Sequence, residues 1–499
     1  MPVKLGKAKL LSPPSAWRAV RRATLFATSL LALPSLGCAG HSAHTVEARA
    51  ALDRGDPKTA LALYNKELKV KSGEELPKDL KGNKVLFVLD RSQIQQALSE
   101  YKWASRDLEI ADKKLEMLDF SKSALEDVGK YLFSDDTGEY RAPPYEKLLV
   151  NTMNMVNYLS RHDLSGAKVE ARRLAIMQEY FRTRRNDAAA MLAPGSYMAG
   201  FAFEKSGRGD IAIRYYDEAL QFGALPSLLE PVRRLVDETG YSGKYTSRFL
   251  QLSGASGDEL KSEVAVEAPK EGELAPGVTS EELSAEAPAE SATSTESSDG
   301  ELLVIINYGR APAKVAKRVP IGLALTYASL WLSAAQVSQA NQLAAKGLVM
   351  WVNYPELEPT RPITRPPSVK IDGQYHVIEQ ALDVEDATRK AYDQERGRIM
   401  ASAITRLIAR ALAGEAVQAA SSDSTVGLLL NLGTQITLTS LDTPDTRSWS
   451  TLPARIGLVR ARLPAGKHVV EIEAQGAKKT QTIDLVAGRW EAVSLTSLR

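Results

Sequence analysis

From His41 to about Leu252, apolar residues recur at three- and four-residue intervals, the spacing of amphipathic helices rather than strands. Beyond Gly300 the period changes. Leu302 to Tyr308 is a compact apolar run that predicts a strand, and Ile321 to Ala335 is a second apolar run, read as one buried segment because a membrane span needs roughly 20 residues. Leu348 to Tyr354 predicts another strand, ending at the proline-rich stretch Pro355 to Pro367. Asp383-Val-Glu-Asp386 places carboxylates at the start of a helix predicted to run to about Ala413. Its core face is Met400, Ile404, Leu407, Ile408 and Ala411, with Arg398, Arg406 and Arg410 on another face, read as solvated or locally paired. Thr434 to Ser440 alternates as a half-buried strand with Ile436 and Leu438 inward. Val459, Ala461 and Leu463 alternate with Arg460 and Arg462, and further strands follow through Gly476 and Gly488 to Leu495, predicting a small antiparallel sheet.

The helical half contains an internal repetition. Gly55 to Leu68 aligns without gaps to Gly207 to Leu220, matching Ala60 with Ala212, Tyr64 with Tyr216 and Leu68 with Leu220. A glycine allows the tight turn, a small alanine allows two helices to approach, and the tyrosine and leucine four and eight residues on fill the same face. Both segments resemble the turn and second helix of a tetratricopeptide repeat. Weaker copies centre on Ala104 and on Ala167, so successive alanines lie 44, 63 and 45 residues apart, against about 34 for a regular repeat of this kind. The array is therefore degenerate and interrupted, most clearly at Tyr131 to Tyr145.

Between Ser253 and Gly300 aromatics vanish, and from Asp258 to Asp299 twelve acidic residues face two basic ones. Such a segment has too little apolar surface to offset the entropy of ordering, which predicts a disordered, extended spacer. The expected fold class is thus α+β and multidomain. A helical repeat domain spans 38–252, the acidic linker 253–300, a mixed α/β region 301–425 and a small β-rich module 426–499.

Residues 1–37 read as a signal peptide. Six Lys and Arg residues precede the apolar run Ala23 to Leu33, too short to cross a bilayer, and Leu36-Gly37-Cys38 follows with the only cysteine of the chain. This resembles the lipobox of bacterial lipoproteins, with Ser35 where leucine is preferred and Leu36 one position late. The resemblance implies acylation of Cys38 and cleavage after Gly37, and Ala39 implies outer-membrane sorting with the body on the periplasmic face. Removing the leader takes the formal net charge from +2 to −4, which argues against a nucleic-acid partner. With its one cysteine used as a tether, the chain has no internal disulfide.

Stacked helix pairs present concave surfaces that bind peptides or protein segments. Lys147, Asn151, Asn154, Arg172 and Arg173 form a set that can grip a partner's carboxylate, with a solvated face as the plainer reading. The Arg-Gly-Asp triplets at 54–56 and 208–210 fall at inter-helix turns, where Gly and Asp are expected without any adhesive role. Catalytic motifs are weak. Gly466-Lys467 lacks a phosphate loop's flanking residues, Gly254-Ala-Ser256-Gly has Asp258 where a nucleophile elbow needs glycine, and the five histidines are scattered. The expectation is a non-enzyme without metal or cofactor.

The Tyr-Glu-Lys-Leu segment at Tyr145–Leu148, the Glu-Ala-Arg-Arg segment at Glu170–Arg173 and the Arg-Ser-Trp stretch at Arg447–Trp449, within this layout, are similar to a group of uncharacterised Gram-negative envelope lipoproteins. The resemblance covers most of the mature chain and implies no known activity. The expected function is that of an outer-membrane-anchored scaffold or adaptor that recruits an envelope protein in envelope or secretion assembly. The alternatives are a lipoprotein activator of a peptidoglycan synthase, reaching across the periplasm on its linker, and a cell-wall-acting enzyme.

Overall fold

The structure, a computed structural model, describes residues 41–120, 139–140, 142–182, 189–241, 243–252, 298–419 and 444–499. Cys38, most of the acidic linker, Ser256 and the expected strand Thr434–Ser440 lie outside the described residues.

The first half is helical: α1 (His41–His44), α2 (Val46–Asp53), α3 (Pro57–Leu68), α4 (Lys84–Ala97), α5 (Tyr101–Phe120), α6 (Pro144–Leu159), α7 (Leu164–Arg182), α8 (Ala193–Lys205), α9 (Gly209–Leu220), α10 (Leu229–Thr239) and α11 (Lys244–Leu252). From α2 to α10 each described helix packs on the next described one, and α8 also packs on α6. The internal repetition has a direct structural counterpart. Helices α3 and α9 start and stop at aligned positions, each preceded by a glycine at positive φ (Gly55 at 75°, Gly207 at 79°). Ala60, Tyr64 and Leu68 are buried, as are Ala212, Tyr216 and Leu220. The Arg-Gly-Asp triplets serve these turns: Asp56 caps α3 by accepting from the Thr59 N–H at 3.0 Å, and Arg208 pairs with Asp210 of its own triplet.

The second half contributes β1 (Asp299–Tyr308), β2 (Lys314–Pro320), α12 (Ile321–Ala328), α13 (Ala334–Ala345), β3 (Trp351–Leu357), β4 (Ser368–Ile371), β5 (Gln374–His376), β6 (Glu379–Asp383), α14 (Val384–Ala419), β7 (Arg455–Pro464), β8 (Gly466–Ala474), β9 (Ala477–Leu485) and β10 (Trp490–Ser497). One four-stranded sheet has the order β10-β1-β7-β6, a second has the order β5-β4-β8-β9, and β2 and β3 form a ribbon.

The expectation of a small antiparallel module at the C-terminus is corrected here. Strand β10 pairs parallel to β1, in register from Glu301–Trp490 to Tyr308–Ser497, while β8 and β9 belong to the other sheet. The reason lies in β1. Its even positions, Leu302, Val304 and Ile306, face the second sheet, and its odd positions, Leu303 and Ile305, enter the core of the helical half. A strand covered on both faces reads as an unbroken apolar run, which is what Leu302 to Ile306 is. The body is therefore three layers, with helices, central sheet and outer sheet in that order. One hydrophobic core joins α3, α4, α6, α8 and α9 to β1, β6 and β7.

The apolar run Ile321 to Ala335 is also not one segment. It breaks into α12 and α13 at Ser333, whose hydroxyl accepts from the Gln336 N–H while the Gln336 side chain accepts from the Ser333 N–H. This reciprocal cap starts a new helix. Together with β2, β3 and α14, these helices form a lobe with its own core around Ala324, Val352, Met400 and Ile404. The predicted core face of α14 is buried at all five positions. No helix among the described residues is long and apolar enough to cross a membrane.

Candidate partner-binding site and the buried polar seam

The five residues assigned to a carboxylate grip divide between the interior and the surface. Asn151 and Asn154 lie on the side of α6 that faces neighbouring helices, and both are fully buried at 0% and 1% exposure. Asn151 donates from Nδ2 to Glu170 Oε2 at 2.9 Å, and Asn154 accepts from the Ser105 hydroxyl at 2.6 Å. Arg173 approaches Glu170 at 3.3 Å and Asp112 at 3.4 Å. Lys147 is buried as well, whereas Arg172 points to solvent. The carboxylate that Asn151 and Arg173 hold is thus the chain's own Glu170, and the expected surface clamp is an internal network between α6 and α7. Burial pushes the Glu170 carboxyl up to about 7 despite the Asn151 hydrogen bond and the Arg173 charge.

A further set of buried polar groups lines the seam between the helices and the central sheet. Glu146 accepts the main-chain N–H of Trp449 at 3.1 Å and the Tyr140 hydroxyl, and burial raises its carboxyl to about 7. Two of the segments singled out in the sequence, Tyr145–Leu148 and Arg447–Trp449, thereby meet. Arg447 is held by Asp445 at 2.8 Å and lies over the Tyr140 ring. Asp90 accepts from the Thr451 N–H at 3.0 Å and the Ser450 hydroxyl at 3.1 Å, and Tyr64 of the first repeat-like helix stands 3.4 Å from Ser450. His41 Nε2 stands 2.9 Å from the other Asp90 oxygen, off the line of a hydrogen bond. Ser450 therefore spends its hydroxyl on the Asp90 carboxylate, in a buried position.

Farther along the seam, Gln96 Oε1 accepts from Asn307 Nδ2 at 2.9 Å and from the Thr496 hydroxyl at 2.8 Å, and Gln96 Nε2 donates to Asn157 at 3.0 Å. At its end Arg460 lies between Glu204 and Glu301, with Lys205 pairing to both carboxylates and Tyr216 donating to Glu204 at 2.5 Å. These cations hold Glu204 well below the usual carboxylate range against the opposing effect of burial. In the sequence Arg460 is a charged position alternating with Val459 and Ala461. It is buried because the central sheet is covered on both sides.

Asp90 and Glu204 carry no mention in the sequence reading, Glu146 enters only within the Tyr145–Leu148 segment, and Arg460 only as a polar position of an alternating strand. For Asp90 a signal existed, since it falls midway between Leu86 and Ile94 at helical spacing, a carboxylate on an apolar stripe. Among the described residues no group of three or more histidine, cysteine or acidic side chains is placed to hold a metal ion. Comparison with protein-family models, with curated proteins and with solved structures finds no match to the chain.

Proposed function

We propose that the chain is an outer-membrane lipoprotein, acylated at Cys38, whose degenerate tetratricopeptide-like helices form a protein-binding adaptor on the periplasmic face. The observation that carries this reading is the correspondence of α3 and α9. Two helices 152 residues apart in sequence share start, stop, preceding positive-φ glycine and the same buried Ala, Tyr and Leu. Successive helices that pack on their chain neighbours are the arrangement from which repeat proteins build binding surfaces. The leader and Cys38 supply the address.

The reading of a peptidoglycan-synthase activator drew its support from the linker as a source of reach. Leu252 and Asp299 flank that linker, and the elements on its two sides share one core, so its length does not set two bodies apart. In cells, labelled palmitate is expected to enter the wild-type chain and not Cys38→Ser, and the variant should leave the membrane fraction. Photo-crosslinkers placed at exposed positions of α7, Arg172 and Ile176, are expected to capture an envelope protein. Palmitate incorporation by Cys38→Ser would defeat the anchor, and absence of any crosslinked protein would defeat the adaptor.

A further inference from the structure

The lobe built from β2, β3 and α12–α14 carries apolar side chains on its outside as well as in its core. On α12 and the turn after it, Leu323, Tyr327 and Leu330 follow at intervals of four and three, which places them on one stripe. Leu330 is 90% exposed at the tip of the turn, next to half-exposed Trp331. Met350 and Trp351, 64% and 44% exposed, adjoin the start of the same helix, where the Ile321 N–H donates to the Met350 carbonyl at 3.0 Å. Exposed apolar patches of this extent mark contact with a protein or a membrane.

The charge around the patch selects between them. Within the lobe, β2, α12, α13 and β3 as far as Pro355 contain no Asp or Glu, and of their cations Lys314 lies by Glu146 in the seam and Lys317 stands 4.0 Å from Glu356, leaving Arg318 and Lys346 beside the Asp393 and Glu395 that α14 adds. Two arginines of α14 lie over the patch aromatics, Arg396 at 4.5 Å from the Tyr327 ring centre and Arg398 at 4.3 Å from that of Trp331. Each guanidinium also has one carboxylate near it, Glu356 at 3.8 Å and Glu395 at 3.2 Å. The patch protrudes at Leu330, beside an open concavity lined by Ser329, Leu332, Val337 and Asn341. A projecting aliphatic tip, Trp331 beside it and the arginines of α14 behind it match the layering of a bilayer surface. There the aliphatic group enters the acyl boundary, indole sits at headgroup depth and Lys or Arg meets lipid phosphate. A second copy of the chain on this patch would bring two sets of cations together.

We propose that the Leu330 tip is a membrane-inserting element that binds anionic lipid surfaces. It acts independently of Cys38 and orients the lobe on a bilayer. The test uses the mature chain, residues 38–499 with Cys38→Ser, so that acylation contributes nothing and the anchor reading is left untouched. Cosedimentation with phosphatidylglycerol/phosphatidylethanolamine vesicles is expected to exceed that with phosphatidylcholine vesicles, and to fall as salt rises. Leu330→Glu is expected to weaken binding roughly tenfold, the loss of one inserted aliphatic side chain, with an unchanged melting curve because the side chain is solvated. Met350→Glu should act in the same direction. Three results would overturn the proposal: no vesicle binding by the Cys38→Ser chain, wild-type binding by both variants, or a lipid-free dimer that Leu330→Glu dissociates. Binding of an acidic protein that competes with no vesicle would assign the patch to a protein partner instead.

Discussion

The Glu146 carboxylate accepts the main-chain N–H of Trp449 at 3.1 Å, across 303 positions of sequence, and both groups are buried. This bond ties α6 to the segment that leads into β7, so helices and sheet settle together. It also places an acid where desolvation outweighs its hydrogen bonds, with the carboxyl raised from 4.5 to about 7.

A raised carboxyl makes the folded state bind a proton that the unfolded chain has already released. Its effect on stability is therefore favourable at low pH and is lost as pH rises from about 4.5 to about 7, then constant above. The ceiling is about 3 kcal/mol for a shift of this size. Glu146→Gln keeps the shape and one acceptor but cannot ionise. Denaturant melts at pH 5 and pH 8 are expected to show the variant gaining on wild type at the higher pH; a difference that does not change with pH would exclude this assignment.

Close approach of α8 and α9 depends on Gly200. A β-carbon there would stand 2.5 Å from the Tyr216 ring, which is itself fixed by its hydroxyl bond to Glu204 and its contact with Arg460. Because the ring has nowhere to move, Gly200→Ala is expected to cost about 1–3 kcal/mol by overpacking. The midpoint of urea unfolding checks this. The same substitution at Gly322, where no atom of the described residues would stand within 4 Å of the added β-carbon, is the control that should leave packing intact.

Arg460 is buried with Glu204 and Glu301 on either side of it. Arg460→Met removes the shared cation and leaves two carboxylates in a buried seam with Lys205 and Arg234 as remaining partners. The expected loss is about 3–5 kcal/mol at neutral pH. The sign with pH is opposite to that of Glu146. A depressed carboxyl stabilises above its unfolded value and loses that contribution as pH falls, so the gap between variant and wild type should narrow on acidification. A gap that widens in acid would show that the cation was not supporting these carboxylates.

Much of the secondary structure was legible, and particular residues show where legibility ended. Helical spacing gave the repeat-like pair α3 and α9 and the core face of α14, because a local period reports which face is apolar. The capping box at Ser333 and Gln336 was present as Ser-x-x-Gln, though masked by the apolar run around it. The carboxylate grip was misplaced for a different reason. Asn151 and Asn154 are polar residues on a helix, and nothing local states that α5 and α7 cover that side. Likewise Arg460 alternates with apolar neighbours as a surface strand does, and only the helices packed on the second face of its sheet make it interior. Residue pairs such as Glu146 with Trp449 and Gln96 with Asn307 are products of topology, which a period of two or of 3.6 does not encode.

The last consequence concerns the acidic stretch at 253–297. A spacer between independent domains, once cut, releases them. Here Leu303 and Ile305 of β1 belong to the same hydrophobic core as Tyr64, Leu89 and Met153 of the helices, and Asn307 completes the Gln96 network. Cutting a connection whose two flanking elements are held in one body costs mainly the tethering entropy, not the core contacts. A site-specific protease sequence inserted near Ser280 should therefore yield two fragments that co-elute as one particle in native buffer and separate in denaturant. The nicked protein should melt at a temperature that depends on its concentration, as a bimolecular assembly does. Fragments that part on native gel filtration would show that the shared core does not bind the halves, and the three-layer arrangement would fall with it.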